Sequence, residues 1–250
     1  MTSRTSPATS AELRLPLATF RFWMRYFRYE TEGFEILAET EPSLIVGYHG
    51  GPWTFDLWML GVRMYDELGY FPRASWHRNW WRFQALGQVV AQLGGLPGSP
   101  TDEDMIAIKS RGEHMVMAPG GTREALRPFW KNHRVDFGRR RGYLRLAHAH
   151  DMPIIPVVAS GLDETFLGLN DGHALSKRLF GRNDLPAWLA LGVGGVWPFA
   201  LPFPVKIRQR IGTPIRPSLM ANGDESLEAV HSHVTTTLQS MLDALHRDHG

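Results

Sequence analysis

The run Ile154-Ile155-Pro156-Val157-Val158-Ala159 constrains this chain more than any other segment, because it carries no charge and no polar side chain. A strand of that composition has no face to show to water. It must be covered on both sides, and sheets covered on both sides are mostly parallel, with helices packed on each face. Neighbouring segments agree. Leu44 to Tyr48 is a second short apolar run and Met115 to Ala118 a third. Helical patterns separate them: Thr54, as cap, through about Leu68, then Met105 to Lys109, then Gly142 to His150. Val205 to Ile211 alternates polar and apolar and reads as an edge strand. The C-terminal helix is the plainest, with Leu227, Val230, Val234, Leu238, Met241 and Leu245 at three- and four-residue steps after Gly223 and Asp224. Strands alternating with helices predict an α/β sandwich with a mixed, mostly parallel sheet flanked by helices.

A chain of 250 residues fits one large domain. Residues 1–16 are expected to be a disordered tail, and 17–250 a single domain. The 27 Lys and Arg against 25 Asp and Glu leave a net charge of +2, too small for a surface dedicated to nucleic acid. With no cysteine, a disulfide framework, a Cys-ligated zinc site and a thiol nucleophile are all excluded. The N-terminus lacks the apolar core of a secretory signal. The uncharged stretch from Leu185 to Val205 is broken by Pro186, Pro198, Pro202, Pro204 and three glycines, so it is not a spanning helix. It reads either as a buried connection or as an apolar loop resting on lipid or lining an acyl site. Residues 17–31 carry a similar choice. Phe20, Trp23, Met24 and Phe27 share one helical face, and Arg21, Arg25 and Arg28 another. That pattern suits an interfacial helix on an anionic membrane, or a terminal helix packed on its own domain.

Two constellations carry chemistry. His49 leaves an apolar strand into a Gly50-Gly51-Pro52 turn, and Asp56 lies in the first turn of the next helix, where a carboxylate suits the macrodipole. A carboxylate on one imidazole nitrogen fixes the tautomer, so the other nitrogen can take a proton from a hydroxyl. The second is Pro119-Gly120-Gly121-Thr122-Arg123-Glu124, a strand end with adjacent glycines and an early guanidinium, built like an anion cradle.

These motifs, with Pro153-Ile154-Ile155-Pro156-Val157 following, occur in an order that resembles the lysophospholipid/glycerol acyltransferase superfamily, specifically its diacylglycerol-acyltransferase-like branch. Leu93-Gly94-Gly95-Leu96-Pro97-Gly98-Ser99 falls where that family has its second block, and Gly212 with Pro214 resembles its terminal Gly-x-Pro. The resemblance spans about residues 40 to 216. Six residues separate His49 from Asp56 where the family usually has four, and Gly120 stands where its common loop has Glu. The second departure resembles the branch acting on neutral or unusual acceptors.

The resemblance implies a glycerol-3-phosphate acyltransferase-like fold and acyl transfer from acyl-CoA or acyl carrier protein to a hydroxyl of a glycerolipid or lysophospholipid. It implies His49 and Asp56 as the catalytic pair, and Gly120, Gly121, Thr122, Arg123 and Glu124 as substrate-binding residues. Lys131 and the run Arg139-Arg140-Arg141 are further candidates for phosphate or lipid, or simply a solvated face. No cofactor and no metal are expected. Expected partners are the acyl thioester, the lipid acceptor and a membrane surface, with the protein peripheral on its cytoplasmic side. Trp76, Trp80, Trp81, Phe83 and Trp197 are candidates to close an acyl tunnel.

Two rival readings remain. His49-Gly50-Gly51 also resembles the oxyanion turn of α/β-hydrolases, but an esterase needs a nucleophile elbow, and Ser160 lacks the first glycine of Gly-x-Ser-x-Gly. A catalytically degenerate, lipid-binding domain is the other.

Overall fold

The computed structural model of the chain describes residues 10–76, 94–181, 186–216 and 224–249, with 87, 90 and 91. In chain order its helices are α1 (Ser10–Tyr26), α2 (Glu35–Glu39), α3 (Phe55–Leu68), α4 (Asp102–Ser110), α5 (Thr122–Ala125), α6 (Gly142–Ala149), α7 (Gly172–Phe180) and α8 (Asp224–His249). The strands are β1 (Glu30–Glu32), β2 (Leu44–Gly47), β3 (Arg73–Trp76), β4 (Gly95–Pro97), β5 (Met115–Met117), β6 (Ile154–Ser160), β7 (Leu167–Gly168), β8 (Ala190–Gly192), β9 (Gly195–Val196) and β10 (Arg208–Ile211).

Seven strands form one sheet in the order β1-β10-β6-β2-β5-β3-β4. From β6 across to β4 all neighbours run parallel, while β10 is antiparallel to β6. Every residue of β6 is buried, as its composition demands. Alternation along the central strands divides the core into two layers. Leu44, Val46, Ile154 and Val158 face a cluster with Met105 and Ile108 of α4, Tyr143 and Leu144 of α6, and Val230, Val234, Leu238, Leu242 and Leu245 of α8. Ile45, Ile155 and Val157 face the other way, toward Leu37 of α2 and Leu60 and Met64 of α3. Each fully buried Leu, Ile or Val contributes roughly 1.5–3 kcal/mol relative to exposure, so these layers carry most of the stability.

Several expectations are corrected. β10 is not an edge strand: β1 pairs with its outer side, Glu30 opposite Arg208. Residues 10–16, expected in a disordered tail, begin α1, while residues 1–9 lie outside the described residues. Thr54 precedes α3 but makes no side-chain cap, because its backbone is left-handed there (φ 43°). Of the two readings of residues 17–31, the terminal helix packed on its own domain is the one observed for the aromatic face. Phe20 stacks on Trp58 at 4.7 Å, Phe27 is fully buried, and Trp23 packs on Phe55, so α1 docks on α3.

The stretch read as a buried connection or an apolar loop is neither buried nor a plain loop, but its apolar side chains do face outward. Its described part, with β7, forms a separate sheet in the order β7-β8-β9. Its side chains Leu191, Val193, Val196, Phe199 and Leu201 are exposed, Phe199 by 93%. Trp80, Trp81, Phe83, Leu93 and Gly223 lie outside the described residues.

Candidate active site

Parallel strands put their C-terminal ends on one side of a sheet, and ligands of such sheets bind in the crevice beyond those ends. Here that crevice is built from three adjacent strands. β2 delivers Tyr48 and His49, β5 delivers Pro119-Gly120-Gly121, and β6 delivers Leu162 and Asp163.

His49 is half-buried, and its Nδ1 lies 3.2 Å from the carbonyl oxygen of Gly51. A carbonyl only accepts, so Nδ1 carries the proton and Nε2 is left as the base. Burial pushes the imidazole down to about 4, Arg140 and Arg127 push the same way, and the Gly51 hydrogen bond opposes them. The ring is therefore neutral at physiological pH. The turn that supplies this carbonyl needs glycine. Gly51 has φ +68°, and a Cβ there would stand 2.9 Å from the backbone oxygen of Leu162.

Asp56 does not meet His49. It is fully buried in the first turn of α3, where Oδ2 accepts from Gln209 Nε2 at 3.2 Å and Oδ1 has no partner. Burial raises its carboxyl to about 7 against the hydrogen bonds from the Leu57 backbone and Gln209. The two extra residues in the turn leave the Gly51 carbonyl in the place expected for this carboxylate.

Glu124 is also moved from its expected role. It is fully buried, so it cannot reach a substrate; instead Oε2 accepts the His49 N–H at 2.9 Å and Oε1 accepts the Asp136 N–H at 2.6 Å. Gly120 exists for this clamp, since a Cβ on it would lie 1.8 Å from Oε2 of Glu124. Burial lifts the carboxyl to about 7, with the two backbone donors and Arg127 holding it lower than burial alone would. The glycine loop and the His49 turn are thus one hydrogen-bonded unit.

Of the other expected contacts, Thr122 is exposed and its hydroxyl is 3.2 Å from His173 Nε2. Arg123 is exposed and paired with Asp136 at 2.7 Å. Lys131 pairs with Asp171, and Arg141 with Glu228. Arg139 is exposed. Arg140 donates through Nη1 to the carbonyls of Pro119 and Gly120 while staying largely exposed, which makes it the cation at the loop.

Behind His49 lies a network that sequence reasoning missed. Tyr48, fully buried, donates its hydroxyl to Asp163 Oδ2 at 2.6 Å and accepts from Arg127 Nη2. Arg127 also pairs with Asp163 at 3.7 Å and donates to the Arg134 carbonyl at 2.6 Å. The available signal was Arg127 following the glycine loop by one helical turn, but nothing local showed that it turns inward. At the crevice rim, Trp53 of the His49 turn meets Trp197 edge-on at 5.1 Å, joining the chemistry to the exposed β7-β8-β9 sheet.

A family model described as diacylglycerol acyltransferase matches residues 81–250. The chain belongs to this family. A human relative called a "DGAT1/2-independent enzyme synthesizing storage lipids" is 27% identical over 222 residues, covering 89% of this chain and 63% of that protein. The chicken protein of the same name is 30% identical over 187 residues, covering 75% and 52%. An uncharacterized protein of Mycobacterium tuberculosis is 28% identical over 218 residues, covering 84% and 58%. The chain thus spans between half and two thirds of these relatives. Among solved structures, the 1-acyl-sn-glycerophosphate acyltransferase PlsC from Thermotoga maritima superposes with a TM-score of 0.59 at 14% identity, over 98% of this chain and 83% of that one, which establishes a shared fold.

Proposed function

We propose that this protein transfers a fatty acyl group from acyl-CoA or acyl carrier protein to a hydroxyl of a glycerolipid or lysophospholipid, with His49 as general base. The observation that carries the proposal is the contact of His49 Nδ1 with the Gly51 carbonyl at 3.2 Å: because a carbonyl only accepts, it assigns the proton to Nδ1 and leaves the lone pair on Nε2, which has no hydrogen-bond partner among the described residues. In the proposed step Nε2 takes the acceptor's hydroxyl proton and the oxygen attacks the thioester carbonyl. The C–O bond forms, the C–S bond breaks, and the imidazolium returns its proton to the thiolate. No acyl-enzyme intervenes. Gly120, Gly121, Thr122 and Arg123 would then border the phosphate of the donor or the headgroup of the acceptor, with Arg140 as the nearby cation.

Asp56 enters as a positioning residue. Its carboxyl, hydrogen-bonded to Gln209 and the Leu57 backbone, anchors the first turn of α3 immediately after the Gly50–Thr54 turn, so in the proposal it orients His49 through the turn that supplies the Gly51 carbonyl.

The reading includes a membrane surface. Phe199 and Leu201, 93% and 58% exposed, belong with Val193 and Val196 to an apolar surface that Trp197 and Trp53 connect to the His49 turn. An exposed patch of this kind marks a binding surface, and lipid is its proposed occupant. None of the described helices is long and apolar enough to cross a membrane. The proposed contact is made through this exposed surface, at the cytoplasmic leaflet where acyl thioesters are supplied.

Thiol release from a panel of acyl-CoA and acyl carrier protein donors, with mixed lipid acceptors and products read by mass spectrometry, tests the reading. Acceptor-dependent release with an acylated product is expected. No release with any donor would favour a lipid-binding domain without turnover.

A further inference from the structure

Away from His49 the fold gathers three side chains from distant parts of the chain. His133, Glu164 and His246 each offer one ligand atom, and these atoms lie within 4.8 Å of one another. His246, near the end of α8, donates Nδ1–H to the Leu242 carbonyl at 2.8 Å. Its Nε2 therefore carries the lone pair, and that atom is buried without a hydrogen-bond partner among the described residues. Glu164 Oε2 is likewise buried and unpartnered, while Oε1 contacts Nε2 of His133. Two buried acceptors left unsatisfied in one small cluster are costly unless something electropositive joins them.

The backbone is arranged to hold the third member in place. His133 has φ +61°, a conformation that non-glycine residues adopt only when held there. Its N–H donates to Asp163 Oδ2 at 2.9 Å and its carbonyl accepts from Gln239 Nε2 at 2.9 Å. Gln239 and His246, seven residues apart, lie on one face of α8. The first fixes the backbone of His133 and the second meets its ring, with centroids 4.1 Å apart. Asp163 and Glu164 divide the same labour between neighbouring carboxylates.

We propose that His133, Glu164 and His246 bind a divalent cation of the zinc class, with water completing the shell. Two imidazole nitrogens and one carboxylate oxygen suit zinc better than magnesium or calcium. Tetrahedral ligands at about 2.1 Å from an ion stand about 3.4 Å apart, within side-chain adjustment of the observed cluster. The Leu242 carbonyl behind His246 is the usual outer partner of a ligating imidazole. Side-chain exposures of 41% for His133 and 40% for Glu164 give the ion a way in and water a place to bind. The ion would tie α8 to the segment whose Asp163 anchors Tyr48 and Arg127, so the site stabilises the crevice from behind and takes no part in acyl transfer.

The test is a Zn2+ titration of the full chain after EDTA treatment, followed by calorimetry, thermal unfolding and, with Co2+ in place of Zn2+, visible absorption. One saturable equivalent is expected, with a four-coordinate Co2+ spectrum and a thermal midpoint raised by about 5 °C at hundredfold excess over Kd. Glu164→Gln and His246→Gln should each abolish the saturable site, and circular dichroism of both in the absence of metal controls for folding. If one variant misfolds, the other decides. Absence of stoichiometric binding by the wild type, or unchanged binding in the folded variants, overturns the proposal and leaves an imidazole–carboxylate ion pair.

Discussion

The crevice at the end of the large sheet and the small β7-β8-β9 sheet beside it are built on opposite principles. In the crevice almost every polar group is spoken for: Glu124 takes two backbone donors, Gly51 takes Nδ1 of His49, and Asp163 takes Tyr48 and the His133 backbone. The small sheet has short ladders and leaves Val193, Val196, Phe199 and Leu201 exposed. A network of hydrogen-bonded, buried groups holds the His49 imidazole in one orientation, which the proposed chemistry needs and lipid contact does not. An exposed apolar surface has the reverse property. It contributes little to folding and is free to meet lipid, its proposed occupant. On the proposed function the molecule separates reaction from delivery, with Trp53 and Trp197, in edge contact, at the seam.

This division can be broken from either side. The largest effect is expected from His49→Gln, which removes the proposed base but leaves the fold: acyl transfer should fall about a thousandfold in a thiol-release assay, with vesicle binding unchanged. Next comes Glu124→Ala, which strands the buried N–H groups of His49 and Asp136. A loss of about 3 kcal/mol in denaturant unfolding is expected, together with most of the activity.

Asp56→Asn should separate stability from activity. The carboxyl titrates at about 7 in the folded protein instead of 3.8, so between these values the folded state holds a proton the unfolded state has released. Wild-type stability through this group consequently falls as pH rises from about 4 to about 7. The asparagine variant escapes that loss, and at pH 8 it should be the more stable protein, by about 4 kcal/mol at most. The lowered His49 value contributes the opposite slope between about 4 and 6.5, but equally in both proteins. Acyl transfer should drop about tenfold in the same variant; unchanged activity would mean the Gly51 carbonyl alone orients the ring. The smallest effect is expected from Phe199→Asp, which should weaken vesicle binding about tenfold by sedimentation and leave unfolding unchanged.

Much of the large sheet was legible because its signals are local. The apolar run of β6, four of the five buried positions of α8 (Val230, Val234, Leu238 and Leu245) and the two glycine turns at strand ends each announce themselves within a few residues. What was not legible depends on distant partners. β1, Glu30-Thr31-Glu32, has no apolar signal, so the strand it covers looked like an edge. Glu124 was identifiable as important in its loop, yet its inward direction is set by a contact with Gly120 and by the His49 backbone across the sheet. Phe20 and Phe27 have the spacing of a membrane face, and only α3 decides that they pack inward. His133, Glu164 and His246 have no common spacing at all.

The separation of reaction from delivery is tested most directly by presenting one acceptor in two forms, dispersed in vesicles and as a short-chain soluble analogue, to the wild type, His49→Gln and Phe199→Asp. His49→Gln should be inactive with both forms, whereas Phe199→Asp should lose turnover with vesicles and keep it with the soluble acceptor. Retained turnover of the soluble acceptor by His49→Gln, or equal losses on both forms by Phe199→Asp, would contradict it.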